Sequence, residues 1–169
     1  MGSGKNVLSA VLRRDNLFLL LAAGAIGEIV LEFLAWWIFP SLIGKPMRPH
    51  LLVTEVSAHA FAFRPGVTLA VSIHLALGLF LMPVAYDAAR RFFSRTSWLK
   101  VAVLYGIVLW ATAQMTLAPL AGRPFMLGID FAARPFFLGL HAYSWGSFAA
   151  HIIYTVTVGW AFRRLGGQR

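Results

Sequence analysis

Residues 17–39 read LFLLLAAGAIGEIVLEFLAWWIF, a run in which Glu28 and Glu32 are the only charged side chains. A helix that crosses a bilayer needs about 20 largely apolar residues, and this run supplies them. It also excludes a cleaved signal peptide, because it is too long, holds two carboxylates and lacks a small-residue cleavage site. The stretch reads as a retained transmembrane helix, and it fixes the solvent in which the rest of the chain must be understood.

Three further segments of the same kind follow: Val67 to Tyr86, Val101 to Ala118, and Phe136 to Phe162, none containing Asp, Glu, Lys or Arg. Trp36, Trp37, Trp98, Trp145 and Trp160 fall near segment ends, at the headgroup level that indole rings favour. The sequence therefore predicts an all-α bundle of four transmembrane helices in one integral membrane domain, residues 1–169.

Composition agrees. The chain is 59% hydrophobic and 12% charged, about half the charge of a soluble domain. Its formal net charge of +9 sits in clusters flanking the apolar runs, where lysine and arginine meet anionic lipid headgroups. No basic stripe with interleaved aromatics points to nucleic acid. The absence of cysteine removes disulfides, thiolate metal sites and nucleophilic thiols.

Orientation follows from the same cations. The N-terminal tail, the second loop and the C-terminal tail carry ten Lys and Arg, against five in the first and third loops. The positive-inside rule places both termini and the second loop on the cytoplasmic side, so that in a Gram-negative host the other two loops are periplasmic. The first outer loop opens PSLIGKPMRP, residues 40–49, which is expected not to continue a regular helix. Beyond it Leu51, Leu52, Val56, His59, Ala60 and Phe63 recur at three- and four-residue intervals, predicting a short amphipathic helix in the outer interface. The third loop, Pro119 to Pro135, is apolar enough to dip into the interface as well.

This pattern resembles the YagU-like inner-membrane proteins, a family of small four-helix proteins of poorly defined function. The stretches that carry the resemblance are Gly24 to Trp36 with the proline-rich segment to Pro49, Ser57 to Phe61, Trp98 to Gly122, and Gly146 to Phe162 with its terminal basic pair. The resemblance implies an inner-membrane location and a role in acid tolerance.

Glu28 and Glu32 stand one turn apart and share a helix face. Counted from Leu17, Glu28 lies about 16 Å into an apolar layer about 30 Å thick. An intramembrane carboxylate costs about 2.5 to 3.5 kcal/mol even on insertion scales, so it faces a partner or a cavity. The commoner role is packing, a protonated glutamate hydrogen-bonded to a neighbouring helix or a partner subunit. A proton or ion site is the sharper alternative, and lipid or quinone headgroup binding a third. Depth arithmetic names His74 as a partner at the level of Glu28, with Gln114 and His141 closer to Glu32. On the fourth helix His141, Ser144, His151 and Thr155 fall within about 80° of arc. Ala142, Gly146 and Ala150 form a small-residue seam opposite, which allows close backbone approach.

No cofactor is expected. Bis-histidine haem needs two ring nitrogens at one depth, and the histidine spacing offers no such pair. Zinc-type spacing, phosphate-binding loops and nucleophilic triads are absent from the sequence, so no enzyme is expected. Two functions remain. One is a non-catalytic accessory subunit packed against a larger respiratory or photosynthetic-type membrane complex and in contact with membrane lipids. The other is an autonomous protein that handles protons through Glu28 and Glu32 with His74 and His141.

Overall fold

A computed structural model describes residues 14–44, 47–124 and 142–167. The described residues are helical, with no strand among them. Helix α1 runs Arg14–Ile43, α2 Pro49–Phe61, α3 Val67–Phe92, α4 Trp98–Leu120 and α5 Ala142–Arg164. Helices α1, α3 and α4 are each long and apolar enough to cross a membrane. Helix α5 has 23 residues but carries Ser144, Ser147, His151 and Thr155, which lower its apolar character. The short helix expected in the first outer loop is present as α2.

Burial is distributed as a membrane solvent requires. Glu28 is 4% exposed while its neighbour Ile29 is 71% exposed. Asp87, Gln114, Ser144, Ser147 and Thr155 are buried, whereas Phe18, Trp37, Leu42, Phe92, Leu104 and Val108 face outward. In water this arrangement would forfeit the hydrophobic driving force. In lipid it is the favourable one, because polar groups must be satisfied inside the protein.

The expectation that residues 40–49 would not continue a helix is corrected at its start. Helix α1 passes through Pro40 and ends at Gly44, whose φ of 78° lets its N–H cap the Pro40 carbonyl. The chain passes Pro40 because it widens first. A proline ring clashes with the carbonyl four residues earlier and supplies no N–H. Residues Leu34–Ile38 form a π turn in which the Phe39 N–H reaches back five residues to the Leu34 carbonyl. The same device precedes Pro83, where Leu77–Leu81 is π and Met82 donates to Leu77. It recurs before Pro119, where Ala113–Leu117 is π and Ala118 donates to Ala113. An extra residue in the turn moves the obstructing carbonyl aside, so each helix continues beyond its proline.

The described residues fall into two compact units. The first comprises 14–32, Leu75–Gly106 and 152–167, and the second 33–44, 47–74, 107–124 and 142–151. The first has a core of Leu20, Ala23, Tyr86, Val101, Ala102, Tyr154, Val158, Ala161 and Phe162. Helices approach closely there: a Cβ on Gly27 would lie 2.7 Å from Val158 Cγ2 and 2.9 Å from the Tyr154 ring. In the second unit the Met47 N–H donates to the Ala35 carbonyl at 3.3 Å, and Trp110 meets Phe148 edge-on at 5.2 Å. Helix α2 is held by Arg123 Nε on Glu55 Oε2 at 2.5 Å. Its His59 ring occupies the space that a Cβ on Gly122, at φ +73°, would need.

Candidate functional site

In the first unit the polar centre is Glu28. Its carboxyl fills the space where Gly78 would carry a Cβ, so only glycine fits there. The Gly78 carbonyl accepts a hydrogen bond from the Tyr154 hydroxyl. That acceptor is available because of Pro83. In an α-helix the Gly78 carbonyl would take the Met82 N–H, which instead goes to Leu77. One residue further on stands Pro83, which has no N–H to give. Glu32, one turn beyond Glu28, is half-buried. The Ala35 carbonyl, five residues before Pro40, is released in the same way and takes the Met47 N–H instead.

In the second unit Gln114 organises a buried amide and hydroxyl network. Ser144 Oγ donates to Gln114 Oε1 at 3.3 Å, and Gln114 Nε2 donates to Ser147 Oγ at 3.4 Å. His151 Nδ1 lies 2.7 Å from the Ser147 carbonyl. A carbonyl only accepts, so Nδ1 carries the proton. His74 also belongs to this unit and is half-buried. Gln114 stands five residues before Pro119, the position that Ala35 and Gly78 hold before their own prolines.

The stripe on α5 thus serves two units. Ser144 and His151 join the Gln114 network, while Thr155 donates to the Ala102 carbonyl at 2.8 Å in the first unit. His141 lies outside the described residues. Of the seam residues, Ala142 is exposed, whereas Gly146 and Ala150 are buried. A Cβ on Gly146 would lie 3.4 Å from Met47 Sδ and 3.6 Å from Ile43 Cδ1, so the chain itself faces the middle of the seam.

Sequence reasoning missed Ser147, Tyr154 and an ionic cluster. Ser147 was readable from its three- and four-residue spacing to Ser144 and His151. In the cluster Asp87 Oδ2 accepts from Asn16 Nδ2 at 3.0 Å and from Arg91 Nε at 2.8 Å. Its signal was the i,i+4 pair of Asp87 and Arg91. Comparison with family models, curated proteins and solved structures finds no match.

Proposed function

We propose that this chain is a non-catalytic integral protein of the bacterial inner membrane, with four crossings and both tails inside, acting as an accessory subunit of a larger membrane assembly. The observation that carries this reading is the use made of the buried polar side chains. Gln114, Ser144, Ser147, Tyr154 and Thr155 each join one helix to another. They work as helix-to-helix glue in a medium that offers no competing water. The outward aromatic row Phe33, Trp36 and Trp37 gives lipid or a neighbouring subunit a large apolar face. Blue-native electrophoresis of mildly solubilised membranes tests the idea. Migration with a larger complex is expected, and migration only at the mass of the isolated chain would sink it.

A second reading is favoured by one observation, the buried Glu28 carboxyl packed on Gly78 beside the Tyr154 hydroxyl. A carboxyl placed there holds or releases a proton, and the YagU-like resemblance points the same way through acid tolerance. If Glu28→Gln abolishes survival at low pH while the amount of folded protein is unchanged, this reading replaces the first.

A further inference from the structure

The first unit gathers cations at one end. The last turns of α3, the turn 93–97 and the first turn of α4 bring Arg90, Arg91, Arg95 and Lys100, and the last turn of α5 brings Arg163 and Arg164. The only carboxylate on these segments is Asp87, and it binds Arg91. Arg90 and Arg163 are held differently. Arg90 Nη1 donates to the Thr96 carbonyl at 3.4 Å, which aims the guanidinium without neutralising it. Arg163 Cζ sits 5.4 Å from the centre of the Trp98 ring, a cation–π contact that likewise leaves the charge in place. Tyr86, one turn before Arg90 on α3, donates its hydroxyl to the Trp98 carbonyl at 3.5 Å. The two anchors, the Thr96 carbonyl and the Trp98 ring, stand two residues apart where the turn 93–97 meets α4. On the same segments Phe92, Leu99 and Trp160 are exposed.

We propose that Arg90 and Arg163, aimed by the Thr96 carbonyl and the Trp98 ring, seat the phosphate of one anionic phospholipid whose chains lie against Phe92, Leu99 and Trp160. Two planar guanidiniums match phosphate oxygens, and the apolar flank suits acyl chains where a free anion would gain nothing. The inference rests on the membrane reading above.

The test reconstitutes the full chain in nanodiscs of phosphatidylcholine, with and without phosphatidylglycerol, and counts retained lipid by native mass spectrometry. Phosphatidylglycerol should be retained selectively. The pair Arg90→Gln with Arg163→Gln should weaken that retention about 30-fold, since each charge near the surface contributes a factor of about five. Arg95→Gln with Lys100→Gln removes equal charge outside the seat and should change it far less. Equal loss in both pairs would mean diffuse attraction and overturn the seat. Arg163→Lys keeps charge and loses the planar stack, so it guards against misfolding of the double variant. Unchanged retention in Arg163→Lys would overturn the role given to Trp98. Inorganic phosphate binding as tightly as the lipid, measured in detergent, would make this a free-anion site and end the lipid assignment. Failure to enter either nanodisc would instead remove the membrane reading itself.

Discussion

Tyr154 is polar at one atom only, and that atom meets a carbonyl which a regular helix would have hidden. Tyr154→Phe keeps the ring and strands the Gly78 carbonyl, so it should cost about 1 to 3 kcal/mol, read by denaturant titration in detergent. A cost near zero would mean that the carbonyl finds another donor. Glu28 presents the opposite case. If its role is packing, Glu28→Gln should be tolerated within about 1 kcal/mol. Glu28→Leu should cost more, because it withdraws the polar end altogether and places branched carbons against the Gly78 backbone. Thermal melting of both variants checks the order, and equal melting points would remove the packing role. These two residues differ in legibility for a physical reason. Glu28 stood out because charge inside an apolar run is expensive in any fold. Tyr154 gave no signal, since its partner is created by Pro83 on another helix and exists only once the helices pack. The Gln114 network was half visible: its residue types marked it as buried glue and the spacing of Ser147 to Ser144 and His151 was there to be read, but which helix supplies the facing amide depends on packing.

At the scale of the element, two of the three prolines explain why helix ends lie beyond the positions the sequence suggests. Pro40 and Pro119 were natural stopping points, because an interior proline usually costs about 3 kcal/mol. The π turns before them lower that penalty, and α1 and α4 continue to Ile43 and Leu120. Nothing in LAWWI, LGLFL or AQMTL as local sequence announces a π turn; its cause is the proline two residues later together with donors elsewhere. Pro83→Ala should therefore not deliver the usual gain. An N–H restored at position 83 lets the turn relax to α and withdraws the Gly78 carbonyl from Tyr154. It also rotates the two halves of α3 by about 100° relative to each other. Lower stability than wild type is expected, together with loss of additivity when combined with Tyr154→Phe. A stabilised, additive Pro83→Ala would show that the π turn is incidental. Helix α2 supplies a test by pH. The Glu55 hydrogen bond raises the pKa of Arg123 above its ordinary value. A raised folded-state pKa contributes stability that is complete below the unfolded value and is lost only as pH climbs through the raised one. Both lie beyond the alkaline range in which the protein is handled, since an arginine stays protonated there. The stability difference between wild type and Arg123→Gln, up to about 1 kcal/mol for a partly exposed pair, should therefore be the same at about pH 7 and about pH 10. A difference that shrinks by pH 10 would show that another group controls the contact.

For the whole molecule, membrane character was legible because four apolar runs and their basic flanks can be counted without knowing any contact. The two-unit division was not, since it depends on which faces meet rather than on where runs begin. Helix α5 shows the limit of counting: Ser144, Ser147, His151 and Thr155 make it less apolar than its three companions, yet each is engaged inside the protein. Whether α5 crosses decides where the C-terminal tail lies, and the basic end that carries the lipid seat depends on it. The chain contains no cysteine, so single cysteines can be introduced without background. If the proposed topology holds, Ser94→Cys in the second loop and Leu165→Cys after α5 should react with a membrane-impermeant maleimide only after the membrane is opened. Ser41→Cys, at the far end of α1, should react in intact spheroplasts. Both expectations rest on the ten-to-five split of Lys and Arg, because moving a positive loop outward opposes the bias that set the topology. Labelling of Leu165→Cys from outside, with Ser94→Cys still protected, would mean that the chain crosses an odd number of times. Helix α5 would then lie within one leaflet or outside it, and Arg163 would no longer share a membrane face with Arg90. Protection of both, with Ser41→Cys labelled, requires an even number of crossings between the second loop and the C-terminus. Helix α4 supplies one of them, and α5 is the only described helix left to supply the other.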